Sequence, residues 1–176
     1  MGFLDKIRRL VLRKHNNDDI PYSVVMLLRS PFVMSKEILE AAASKAYRMP
    51  YDGSEEMYCV VPSAPLVKGT LLSWMKAGAS LITVLEAAEP YLGDPVEVAK
   101  GFKNELLESA WIEHRQWVSF DLVNRDVPKK QAYAVLAKLV SELLDARCAG
   151  IYLPKENQFT IQDRAAAAEH LSRLAR

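Results

Sequence analysis

From Tyr22 the chain reads YSVVMLLRS, an apolar stretch of strand length that ends at Ser30-Pro31. A run without polar alternation predicts a buried central strand over 22–29, covered on both faces. The period then changes. Ile38, Leu39, Ala42, Ala43 and Ala46 recur at helical spacing behind Ser35, which predicts a serine-capped helix over 35–48. Pro50 stops it, because a proline ring biases the preceding residue away from the helical region. MYCVV predicts a second strand at 57–61, ended by Pro62 and Pro65. TLLSWM and ASLITVLEAA flank Lys76-Ala77-Gly78, and that arrangement predicts a β-hairpin over 70–88. Asp94-Pro95-Val96-Glu97 opens a helix with an N-cap, a proline at the first helical position and a reciprocal acid, and Val98, Phe102 and Leu106 continue it in one row.

WVSFDL alternates as a half-buried strand does and predicts a strand over 116–123. The helix expected over 128–146, with Pro128 in its first turn, has the strongest amphipathic pattern in the chain. Its apolar row is Ala132, Val135, Leu136, Leu139, Val140, Leu143 and Leu144. AGIYLP predicts a last strand at 150–153, and an alanine-rich segment predicts a terminal helix over 163–175.

Strand 22–29, helix 35–48 and strand 57–61 repeat in plan as strand 116–123, helix 128–146 and strand 150–153. A strand–helix–strand unit repeated around a hairpin predicts an α+β fold of ferredoxin-like sandwich type, with a mixed sheet of about six strands. Right-handed crossovers place the two main helices on one face. A doubly wound parallel sheet is the alternative, opposed by the hairpin. The expected division is an N-terminal amphipathic helix and linker over 1–19, one α+β domain over 20–160 and a C-terminal helix over 161–176.

Val118, Phe120 and Leu122 are expected to face the two helices, leaving Trp117 and Ser119 on the second face. One parity each of SVVMLLR and LITVL extends that face and is apolar. Its area would exceed what soluble monomers expose, so a cover is predicted: the terminal helices or, the reading adopted, a second copy in a symmetric homodimer.

LLRSPFVMSKEILEAA, EPYLGDP and HRQWVSFDL resemble an uncharacterised bacterial domain-of-unknown-function family over about residues 20–160. The resemblance implies a ferredoxin-like α+β core. It brings no activity, cofactor or catalytic residue.

Bulk composition excludes several classes. Half of the residues are hydrophobic and 26% are charged, which is globular rather than disordered. A net charge of +1 gives no global electrostatic case for nucleic acid. The two cysteines, Cys59 and Cys148, form no CxxC and are too few for a disulfide framework, so a reducing cytoplasm with free, buried or half-buried thiols is expected. No apolar run approaches the roughly 20 residues needed to span a bilayer. Residues 3–14 form a short basic amphipathic pattern suited to packing on the domain, on a partner or on an anionic membrane surface.

No GxGxxG, P-loop or HExxH is present, and Gly78-Ala79-Ser80-Leu81 lacks the second glycine of a nucleophile elbow. His15, His114 and His170 are scattered, so neither metal nor cofactor is expected. Cys59 between Tyr58 and Val60 reads as an unactivated core thiol. Trp74, Trp111 and Trp117 read as core aromatics.

His114 and Asp121 invite an acid–base reading. Strand parity sets them on opposite faces, and seven steps of about 3.3 Å separate them by roughly 23 Å, so they are not expected to form a dyad. The remaining candidate surface takes strands 22–29 and 116–123 as adjacent, parallel and central. Their C-terminal ends then bring together Arg29, Ser30, Asp121, Asn124 and Arg125, with Trp117 on the second face, at a place where sheets commonly bind ligands. The inert alternative is an Asp121–Arg29 ion pair or a helix cap. The expected function is a non-catalytic cytoplasmic binding or interaction domain that self-associates. The alternative is a small hydrolase or transferase with a polar cleft at those strand ends.

Overall fold

The computed structural model describes residues 21–48, 59–60, 82–122, 127–161 and 173. The expected N-terminal helix, most of the hairpin before Ile82, Trp74, Asn124, Arg125, His15, His170, the side chain of Cys59 and, apart from Arg173, the C-terminal helix lie outside the described residues.

The elements in chain order are β1 (Tyr22–Leu28), α1 (Lys36–Tyr47), β2 (Cys59–Val60), β3 (Ile82–Ala87), α2 (Pro95–Ala99), α3 (Glu105–Glu113), β4 (Gln116–Leu122), α4 (Lys129–Leu143), β5 (Cys148–Leu153) and β6 (Gln158–Ile161). A 3-10 turn, Pro154–Glu156, joins the last two strands. The sheet order is β2-β3-β4-β1-β5-β6, with the two-residue β2 at one edge. Every neighbouring pair is antiparallel. The expected mixed sheet is therefore corrected to an antiparallel one. β1 and β4 are adjacent and central, as expected, but they run in opposite directions: Tyr22 lies opposite Leu122, and Leu28 opposite Gln116.

Local signals explain the helices. Ser35 accepts a hydrogen bond from the Ile38 amide and caps α1, whose last turn ends in a left-handed Arg48 (φ 54°). The buried row of α1 is Leu39, Ala42 and Ala43, while Ile38 stays exposed. Asp94 caps α2 as predicted, through a bond from the Val96 amide. The single helix expected after it is in fact two. α2 ends after Ala99, and the Asn104 side chain accepts from the Leu106 and Leu107 amides to start α3. α4 begins after Pro128 with no side-chain cap and buries Ala132, Tyr133, Leu136, Ala137, Leu139 and Val140.

Two cores result, one on each face of the sheet. On the first, α1 and α4 pack together over Val24, Met26 and Leu28 of β1, Val118, Phe120 and Leu122 of β4, and Ile151 and Leu153 of β5. The Tyr47 hydroxyl donates to the Val135 carbonyl at 3.0 Å, and Lys45 pairs with Glu142, so the two helices are also tied by polar contacts. On the second face, Ala99 of α2 and Ala110 and Trp111 of α3 pack on Val25, Leu27 and Phe159. The aromatic rings interlock there: Trp111 meets Phe159 edge-on at 5.0 Å and Tyr152 at 5.4 Å. This overturns the premise of an uncovered second face. The chain's own α2 and α3 cover the half of it that carries Val25 and Leu27, and no second copy is required there.

Candidate functional site

The polar side chains of β4 sort into two groups, one at each end of the strand. At the start of β4, Gln116 is buried and its amide completes the backbone of the β1–α1 loop, accepting from the Phe32 N–H at 2.7 Å and donating to the Phe32 carbonyl. The Met34 N–H donates to Glu86 of β3 at 3.1 Å. Arg29 donates to Glu113 at 2.9 Å and to the Cys148 carbonyl at 2.9 Å. Its hydrogen bond, with a second from Ser109, holds the Glu113 carboxyl below its ordinary range. Arg147 pairs with Asp145 and lies 4.6 Å over the Phe32 ring. Arg29 and Ser30 thus belong to a loop clamped at one end of the sheet.

Asp121 stands at the other end, opposite Ser23 on β1 and Thr83 on β3. The expected grouping of Arg29 and Ser30 with Asp121 is therefore wrong, and its cause is the antiparallel register. The C-terminal ends of β1 and β4 point to opposite ends of the sheet, so they share no cleft, and the inert Asp121–Arg29 pair does not form either. Asn124 and Arg125 lie outside the described residues.

What surrounds Asp121 was not read from the sequence. Ser119 Oγ donates to Asp121 Oδ2 at 2.9 Å. The Ser23 hydroxyl donates to the Pro21 carbonyl at 3.3 Å and is near enough to favour the charged form of the Asp121 carboxylate, and Thr83 Oγ1 lies 3.5 Å from the Asp121 carbonyl. Ser23 and Ser119 are buried, and Asp121 and Thr83 are half-buried. Desolvation raises the Asp121 pKa above the ordinary value, against the lowering pull of the two hydroxyls. Among the described residues no cation pairs with it. Burial chiefly, and the Asp121 charge next, push the Tyr91 phenol up. The Tyr91 ring meets Trp117 edge-on at 5.4 Å and Tyr152 at 5.8 Å. Ser23, Ser119 and Asp121 thus form a polar island beside the aromatic group of Tyr91 and Trp117, on the second face. The alternation of β4 already set Ser119 and Asp121 on one face; recognising Ser23 needed the strand direction.

His114 takes no part in this island. It is fully buried just beyond α3, where Nε2 accepts from the Tyr91 N–H at 2.8 Å and Nδ1 bonds the Trp111 carbonyl. Those two partners fix the neutral tautomer with the proton on Nδ1. With both nitrogens committed to backbone, His114 cannot take a proton from Ser119. Cys148 is free and buried, and desolvation pushes its thiol up to about 11, far from a reactive thiolate.

Among the described residues no group of three His, Cys, Asp or Glu is placed to hold a metal ion, and no helix is long and apolar enough to cross a membrane. No protein-family model, curated protein or solved structure matches the chain. The class these observations define is an α+β protein with an antiparallel sheet and a helix layer on each face.

Proposed function

We propose that the protein is a non-catalytic cytoplasmic binding domain on a ferredoxin-like framework, and that Asp121 receives a basic side chain from a protein partner. The framework reading is supported by the spatial order β3-β4-β1-β5, with α1 after β1 and α4 between β4 and β5, both on one face. The binding reading rests on one observation. Asp121 is a desolvated carboxylate that accepts a hydrogen bond from the neutral Ser119 hydroxyl, with Ser23 beside it and no cation paired with it among the described residues. A half-buried, partly desolvated charge without a counter-charge is costly, and a docked ammonium or guanidinium offsets that cost. A second copy of the chain, which carries 23 lysines and arginines, is the first partner to test.

Light scattering should give a mass near twice 19.8 kDa for the wild type. Asp121→Asn, which keeps the shape and the serine contacts, should shift the species toward monomer. In parallel, butylguanidinium followed by amide NMR should shift Ser23, Ser119 and Asp121 in the wild type and not in Asp121→Asn. A mass that is the same in both proteins, together with no shift at these amides, would show that Asp121 is not a docking group.

A further inference from the structure

The loop between β3 and α2 is tied to the rest of the fold through Tyr91. Tyr91 enters it by donating its N–H to His114 Nε2 at 2.8 Å, and its ring rests on Trp117 and Tyr152. The next two residues, Leu92 (φ 63°) and Gly93 (φ 93°), are both in the left-handed region. Glycine adopts that conformation freely, whereas leucine does so only under constraint. Leu92 is also exposed, so its own side chain gives the loop little anchorage. The imidazole therefore holds the Tyr91 backbone, while Trp117 and Tyr152 hold its ring.

We propose that His114 is a proton-operated latch: the neutral ring holds the 88–94 loop shut over Trp117, and protonation at Nε2 releases it. Nδ1 already carries a proton bonded to the Trp111 carbonyl. A second proton would go on Nε2, the atom that accepts the Tyr91 N–H. Two N–H groups would then face each other at hydrogen-bond distance, with an uncompensated positive charge in a fully buried site. The ring can keep that proton only by letting Tyr91 move away. Release would uncover Trp117 and the Asp121 side of the second face.

Burial is the main obstacle to the imidazolium, and it outweighs the Trp111 carbonyl at Nδ1, which favours the charged ring. Arg115, next in the chain, carries the same charge and opposes protonation, as burial does more strongly. Glu113 on α3 is occupied by Arg29 and Ser109. Tyr91 and Tyr152 are the phenols of the surrounding aromatic group, and burial raises both, so they are neutral at these pH values. Asp121 acts on Tyr91 from the far end of β4. The latch is independent of whether Asp121 docks a partner, because it is read in the free protein.

Amide hydrogen exchange between pH 8 and 5, corrected for the intrinsic rate, tests the proposal. Once the pH is below the ordinary histidine value of about 6.5, the opening constant at Tyr91 should rise about tenfold per pH unit, until the closed ring itself titrates. The β1 and β4 core amides should stay protected. His114→Gln, whose side-chain oxygen still accepts and whose amide still donates, should remove the pH dependence at Tyr91. Should that variant not fold, ring-carbon NMR of wild-type His114 serves instead: its titration should coincide with the shift of the Tyr91 amide. A Tyr91 amide whose corrected exchange ignores pH, or one that opens only together with the β1 and β4 core, would overturn the latch.

Discussion

Gly150 lies in β5 beneath the ring of Phe159, and replacing it with alanine tests the packing of the β5–β6 edge. A Cβ there would sit 2.4 Å and 2.6 Å from two ring carbons of Phe159 and 2.7 Å from the Thr160 carbonyl oxygen. Carbon pairs are comfortable at about 3.5–4.0 Å, so the ring would have to retreat by about an ångström. It has nowhere to go, because Trp111 (5.0 Å between centroids) and Phe102 (5.5 Å) hold it from other sides. The carbonyl is stiffer still, since Thr160 is paired with Ile151 in the β5–β6 ladder. Overpacking of this kind costs about 1–3 kcal/mol. Exchanging a strand glycine for alanine returns about 0.5–1 kcal/mol of backbone entropy, which offsets only part of that. Gly150→Ala should therefore be destabilised by roughly 1–2 kcal/mol, a fall in Tm of about 2–8 °C for a chain of this size. Urea unfolding of Gly150→Ala, Phe159→Leu and the double variant separates the two clashes. With the ring gone, the alanine should cost at least about 0.5 kcal/mol less, the carbonyl contact accounting for the rest. A Gly150→Ala protein as stable as wild type, or an alanine penalty equal in both backgrounds, would refute the packing.

Three further outcomes follow from the same structure. Leu139 is 0% exposed against the β1–β4 core, so Leu139→Ala should cost about 2–5 kcal/mol through lost transfer and a cavity, read as a lowered urea midpoint with unchanged slope. Gln116→Ala strips both bonds from the Phe32 backbone and should cost about 1–3 kcal/mol, with amide exchange rising first at Phe32. The raised pKa of Asp121 means that ionisation costs stability at neutral pH, and that this cost is relieved as pH falls through the folded value toward the unfolded value of about 3.9. In protein dilute enough to be monomeric, where no cation is docked, Asp121→Asn should thus be more stable than wild type at pH 8, with the gap closing toward pH 4 in chemical denaturation.

Much of the fold was legible because periodicity is a direct consequence of backbone geometry. The pleat forces alternate residues onto opposite faces, so Val118, Phe120 and Leu122 could be assigned to the helix-covered core and Trp117 to the other face, and the structure places them there. The long apolar row of α4 is equally explicit, and Leu136 and Leu139 are both fully buried. Two features were not legible. The break between α2 and α3 depends on Asn104 capping a new helix within a stretch whose apolar row, Val98, Phe102 and Leu106, continues across it; Leu106 is in fact exposed. The cover on the second face followed from that break. Ala110 and Trp111 of the separate helix α3 pack with Val25 and Leu27, and the chain covers this area itself.

The site was less legible because it depends on strand direction, which composition and period do not encode. A strand read as parallel or antiparallel buries the same residues, so every burial expectation for β4 survives while its polar neighbours exchange ends. Under the parallel reading Asp121 meets Arg29 and Ser30 and acquires a counter-charge; under the observed register it meets Ser23 and Thr83 and has none among the described residues. The chemistry changes with it, from an ion pair that stabilises itself to a carboxylate that a partner's cation would stabilise. His114 shows the converse. It stands just beyond α3, before β4 begins, and its task is set by Tyr91, 23 residues earlier in the chain and joined to it through a backbone hydrogen bond. A side chain that bonds only main-chain groups leaves no residue-type pattern for a sequence to display, and that is why the imidazole's partner is the backbone of the Tyr91 loop and not a carboxylate.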